Sequence, residues 1–271
     1  MITLYLKGIS LIAPGMANWQ IAKKIFTDKQ VYNPAKVDKK LSTLLPANEN
    51  RRCSRTTKLA LSCIQQLFDA YPISSRQYYQ QLAYIFTSCN GDLTIFHQIA
   101  TALAQAGRPV SPIKFHNSVH NAPAGYSAIV LESQSASTSI TAYEDSFAAG
   151  LLEAAVQASI KQQDCLLCGY DEVPPEPLLS LFPVKDDFAY TLLLSTQPAE
   201  NKQQQLCRLD ISITKEQPIS QMENQLFEDL RLCNPQAKIL PLLSALATKR
   251  EQTLFFQSNQ QQLLIKISDF L

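Results

Sequence analysis

Residues 139–155 read SITAYEDSFAAGLLEAA. Ser139 to Thr141 is short and contains β-branched residues, which suits a strand. From Phe147 onward, Phe147, Leu151, Ala154, Ala155 and Ala158 recur with helical spacing. Tyr143, Glu144 and Asp145 fall between the two, at the start of the helix. A strand that turns abruptly into a helix presents a side chain where free N–H groups and the helix dipole stabilise an anion. Enzymes often keep a nucleophile at such a place. This turn offers tyrosine, glutamate and aspartate, with no cysteine and no serine flanked by glycines.

Working outward, the strand before the turn covers 137–141, and DCLLCGY (164–170) reads as the next strand. LAYIFTS (82–88) is a short strand of buried type, and ITLYLKGISLIAP opens the chain as another. The helix over 54–71 repeats Leu59, Ala60, Cys63, Ile64, Leu67 and Phe68. Asp92 is placed to cap a helix over 93–106 that should bury Leu93, Phe96, Ile99, Ala100 and Leu103 and end at Gly107. A helix with small residues on one face is predicted over 118–130, and residues 28–52 read as a polar surface loop. Strands alternating with helices predict βαβ units and a layered α/β fold with a mixed, mostly parallel sheet. No glycine follows Gly169. FAYTLLLS and LCRLDISI read as strands, ISQMENQLFEDLRLC and QAKILPLLSALA as helices, the second interrupted by Pro241, and TLFFQSNQQQLLIKI as a closing hairpin or strand pair.

Composition narrows the class. The 271 residues carry a formal net charge of +1 and 17% charged residues, which implies no nucleic-acid partner. Seven cysteines without framework spacing predict reduced thiols and a cytoplasmic protein. The first segment lacks a basic region and a cleavage site, so it reads as a strand and not a signal peptide. No apolar run reaches the roughly 18 residues that a membrane span needs.

Four segments, in order, carry a resemblance: YLKGISLIAPG, RRCSRTTKLAL, SCNGDLTIFHQIATALA and SPIKFHNSVHNAPAGYSAI. Together they resemble the N-terminal half of a β-ketoacyl synthase, the condensing enzyme of fatty-acid and polyketide synthesis. The likeness runs over 1–195 and implies a thiolase-like half-fold, with 196–271 as an α/β extension that completes or flanks it. From Ser111 to Glu144 the family pattern runs without a gap. Its Thr-Ala-Cys elbow falls on Ala142-Tyr143-Glu144, with Glu144 in the position of the nucleophilic cysteine. The family also uses two histidines from its second half, whereas His97, His116 and His120 all precede the elbow. The resemblance therefore implies a subunit without condensing activity, with neither cofactor nor metal. It is similar in particular to the chain-length-factor-like subunits of aryl polyene clusters, which pair with a full-length ketosynthase.

In that family the strand before the elbow pairs with its counterpart across a two-fold axis. Here it is Ser137, Thr138, Ser139, Ile140 and Thr141. The loop before SVHNAPAG crosses to the other subunit and lines its acyl tunnel, which points to Lys114, Phe115, His116 and Asn117. The resemblance also implies contact with acyl carrier protein. Two other readings stand beside it: decarboxylation of malonyl groups at Glu144, and a homodimeric scaffold for carrier protein.

The remaining signals have plainer explanations. Glu144 and Asp145 suit any helix start, and Tyr143 reads either as a filler of the former acyl site or as ordinary core packing. Cys165 and Cys168 form a lone CxxC inside a strand, where residues three apart face opposite sides. His116 and His120 have the i, i+4 spacing of a metal pair without the intervening glutamate. DEVPPEP (171–177) should end its strand and cross the surface, and Arg51, Arg52 and Arg55 read as a solvated or ion-paired helix start.

Overall fold

The N-terminal strand runs through the middle of the sheet, not along its edge. The computed structural model describes residues 1–38, 41, 44–71, 76–199 and 205–270. β1 (Ile2–Ile12) leads through α1 (Trp19–Phe26), α2 (Ala47–Arg52), α3 (Arg55–Ala70) and α4 (Arg76–Gln81) to β2 (Ala83–Thr87). Then come α5 (Leu93–Leu103), α6 (Pro112–Asn117), α7 (Ala122–Leu131), β3 (Ser137–Ile140), α8 (Ser146–Lys161) and β4 (Cys165–Asp171). The chain closes with β5 (Phe188–Ser195), β6 (Cys207–Thr214), α9 (Gln225–Leu232), α10 (Leu240–Thr248), β7 (Gln252–Ser258) and β8 (Gln261–Ser268).

All eight strands form one sheet in the order β3-β2-β4-β5-β1-β6-β8-β7. The sheet is mixed, as expected, but it is not mostly parallel. β2 runs parallel to β3 and β4, whereas the pairs β4–β5, β5–β1, β1–β6, β6–β8 and β8–β7 are antiparallel. The strand–helix alternation that predicts parallel pairing stops at β4. β5 returns without an α-helix between, and β7 turns into β8 over two residues, a connection that permits only antiparallel neighbours. Residues 207–268 thus add three strands to the sheet that the first half began.

Side chains alternate across the central strands and feed two cores. Cys165 and Leu167 of β4, with Tyr190, Leu192 and Leu194 of β5, join β1 and the apolar faces of α1, α8 and α10. Leu166, Cys168 and Tyr170, with Ala189 and Leu193, pack instead against α3 and α7. The two cysteines of the CxxC therefore sit on opposite faces, both free and fully buried, and burial pushes both thiols up. Gly8 lets α3 approach β1 closely, since a Cβ there would meet Leu67 Cδ1 at 3.0 Å.

Four expectations are corrected. α5 ends at Leu103 and buries none of its residues; Phe96 and Leu103 are 57% and 51% exposed. Periodicity identified an apolar stripe correctly, but among the described residues none packs over it closely enough to bury it. The polar loop over 28–52 closes with a helix, α2. The first C-terminal helix begins only at Gln225, because Ser220 is drawn onto β7: its N–H donates to Phe255 O and its Oγ accepts from Phe255 N–H, both at 3.0 Å. Pro241 does not interrupt a helix; it sits in the first turn of α10, where its missing N–H costs nothing.

Candidate functional site

The elbow is built by β3, a single turn of 3₁₀ helix over Tyr143–Asp145, and α8. Its apex is Tyr143, whose φ of 51° lies in the left-handed region that a bulky residue adopts only under constraint. Ser146 supplies that constraint. Its Oγ donates to Tyr143 O at 2.7 Å and accepts from Ala142 N–H at 3.0 Å. The left-handed backbone therefore falls one residue ahead of Glu144, and neither position carries a thiol or hydroxymethyl group. Below the turn, Thr87 Oγ1 donates to Ser146 O at 2.7 Å, and Gly150 brings α8 down onto Thr87.

Asp145 occupies the cap position of α8, yet its side chain makes no capping bond. It reaches across to the closing hairpin, where Asn259 N–H donates to Asp145 Oδ2 at 2.6 Å. Phe256 of the same hairpin meets Phe147 edge-on, with ring centroids 5.0 Å apart. Arg231 and Lys238 join Glu144 and Asp145 around a cleft of about 110 Å³. Arg231 is itself held by Glu228 through Nε at 2.7 Å and Nη2 at 2.5 Å. Burial and the neighbouring Arg231 lower the Lys238 ammonium, and Glu144, Glu228 and Asp145 oppose that shift. The C-terminal third thus roofs the elbow with a mixed-charge cluster. Sequence reading missed these residues; only the Asn259 turn carried a local signal.

The partner-loop candidates divide. Lys114, Phe115 and His116 project from α6 into the open, Phe115 being 65% exposed. The His116 ring stands edge-on to Tyr126 at 6.1 Å. Asn117 turns inward instead and is 2% exposed; its Nδ2 donates to Arg52 O at 3.0 Å and Ile113 O at 2.9 Å. It shapes the loop from within. His120 is separated from His116 in role: its Nε2 lies 3.3 Å from Ser88 O, and burial lowers its imidazole. Among the described residues no cluster of three or more His, Cys, Asp or Glu side chains could hold a metal.

β3 is an edge strand, paired with β2 on one side and, among the described residues, with no neighbour on the other. Its burial falls from half-buried Ile140 to exposed Ser137. Thr141, just beyond it, donates through Oγ1 to Cys89 O at 2.8 Å, which fixes the elbow to the loop after β2. That loop is anchored by Asp171, a wholly buried carboxyl that accepts from Ser88 Oγ at 2.8 Å and Cys89 N–H at 2.9 Å. Burial pushes its pKa up to about 7 against the pull of those bonds. The acidic stretch after β4 is thus less superficial than expected: Glu172 binds Arg55 at 3.2 Å and Asp187 binds it at 2.7 Å.

The model of the β-ketoacyl synthase N-terminal domain family matches residues 19–261. No curated protein matches the sequence. Among solved structures, a chain of the complex of the ketosynthase ApeO with its chain length factor ApeC from Xenorhabdus doucetiae is 25% identical, with a TM-score of 0.70 over 98% of this chain and 100% of that one. A chain of the ishigamide ketosynthase/chain length factor is 12% identical, with a TM-score of 0.71 over 99% and 100%. A chain of AntDE:AntF, a type II polyketide synthase acyl-carrier protein in complex with its ketosynthase, is 11% identical, with a TM-score of 0.73 over 99% of both. The last two share the fold. No helix among the described residues is long and apolar enough to cross a membrane.

Proposed function

Because this chain belongs to the β-ketoacyl synthase N-terminal domain family, we propose that it is a non-catalytic, chain-length-factor-like subunit that pairs with a full-length ketosynthase in aryl polyene synthesis. One observation carries the reading: the elbow holds no sulfur, and the strand that leads into it is an open edge of the sheet. Phe96, Leu103, Phe115 and Tyr143 are each at least half exposed, and the β3 edge next to the elbow is unpaired. An open edge strand and exposed aromatic side chains are what a second subunit covers. A carboxylate or phenol at the elbow is a poor acceptor for an acyl chain leaving a thioester, and the hairpin roof leaves room for little beyond a small group.

In this reading β3 pairs with the ketosynthase's equivalent strand, and Lys114, Phe115 and His116 enter its acyl tunnel. Phe115 sets product length by exclusion, since one misplaced group in an apolar pocket costs on the order of 1–3 kcal/mol. Carrier protein docks on the assembled pair. The test is co-expression with a full-length ketosynthase and measurement of the products. Phe115→Ala should leave the complex intact and lengthen the polyene or broaden its distribution. An unchanged product profile from a stoichiometric complex removes the tunnel role. A chain that elutes as a homodimer and ignores the ketosynthase favours the scaffold alternative.

A further inference from the structure

α5 buries none of its residues, so its placement needs another explanation than apolar burial. Under its N-terminal end lies a cavity of about 10 Å³, bordered by Asp92, Asn117 and Tyr170. Each of these three carries a buried polar atom with no protein hydrogen-bond partner: Asp92 Oδ2, Asn117 Oδ1 and Tyr170 Oη. Their other atoms are committed. Asp92 Oδ1 accepts from Ile95 N–H at 2.8 Å to cap α5, and Asn117 Nδ2 donates to two carbonyls. Tyr170 is wholly buried in β4.

We propose that a single bound water fills this cavity, accepting from the Tyr170 hydroxyl and donating to Asp92 Oδ2 and Asn117 Oδ1. The stoichiometry fits. Two acceptors and one hydroxyl donor face a molecule that offers two protons and a lone pair. Buried waters make about three such bonds and need roughly 10–15 Å³ of space. The bonds join the start of α5, the end of α6 and strand β4. Water is thus the mortar under the surface assigned above to the partner. The site's existence does not depend on that assignment.

A high-resolution crystal structure of the full chain tests the site. One ordered peak within about 3.2 Å of all three atoms supports it. An empty cavity, or the three side chains bonded directly to one another, overturns it. In solution, Tyr170→Phe and Asp92→Ser each delete one bond to the water, and the serine retains an oxygen to cap α5. Both should speed amide exchange across residues 91–119 roughly fivefold and leave 252–268 unchanged. Unchanged exchange across 91–119 in the folded variants overturns the proposal. Failure to bind a ketosynthase would remove the functional reading and leave the water in place.

Discussion

The backbone N–H of Asn259 donates to Asp145 Oδ2 at 2.6 Å, joining the last hairpin to the elbow across 114 residues of sequence. Asn259 adopts a φ of 56° in a two-residue turn, a conformation for which asparagine and glycine are the suited residues. The turn therefore presents its amide to the carboxylate at little conformational cost. Asp145→Ala should destabilise the chain by about 1 kcal/mol, the worth of one partly solvated charge-assisted bond. Hydrogen exchange should rise first over 252–268. Equal protection of that hairpin in the variant and the parent would show that the contact holds nothing.

That bond also marks where sequence reading stopped. Strand, turn and helix around residues 139–155 were legible because alternation, helical period and a helix-start cluster all agree there. β7 and β8 were legible as a hairpin from the turn between two apolar runs. Which strand the hairpin would join was not, because pairing partners leave no local pattern. The roof over the elbow was equally hidden: Arg231 and Lys238 look like ordinary helix charges until the fold carries them to Glu144. The apolar stripe of α5 misled for the opposite reason. Periodicity reports an apolar face, not what covers it.

Gly150 was passed over in the sequence, yet it sets how closely α8 approaches the sheet. A Cβ there would stand 2.8 Å from Thr87 Cγ2 and 2.9 Å from Thr87 Cβ, contacts that require backbone movement. Gly150→Ala should cost about 1–3 kcal/mol despite alanine's better helix propensity. Thr87→Ser removes the offending methyl and retains the hydroxyl that binds Ser146 O. The double variant should lose less than the sum of the two single losses. Strict additivity in chemical denaturation would contradict the clash.

Asp171 gives stability an unusual slope with pH. Its carboxyl rises from the ordinary 3.8 to about 7 through burial. The folded chain therefore keeps a proton that the unfolded chain releases, and the resulting stability is complete at low pH and lost as pH climbs to about 7. His120 acts in the opposite sense: lowered by burial, it withdraws stability as pH falls below 6.5. Asp171→Asn retains an acceptor for Ser88 and Cys89 and cannot ionise. Between about pH 5 and pH 8 the parent should lose about 2–3 kcal/mol relative to this variant. Parallel urea midpoints across that range would refute the buried proton.

The open edge of β3 can be closed without disturbing the fold. Ala136 O and Ile140 O accept from Tyr84 N–H and Ser88 N–H, so the backbone groups of even-numbered residues face β2. Alternation along a strand then turns the N–H of Ser137 and Ser139 outward. Proline at such a position removes a donor that no described strand uses. Ser139→Pro should therefore leave the circular dichroism spectrum and denaturation midpoint near those of the parent while abolishing co-elution with the ketosynthase. A strand pairing across the subunit axis needs that N–H, and the ring also pushes an incoming strand away. If the variant still co-elutes at full stoichiometry, the subunits do not meet through β3, and the exposed ridge of α5 and α6 must carry the association alone.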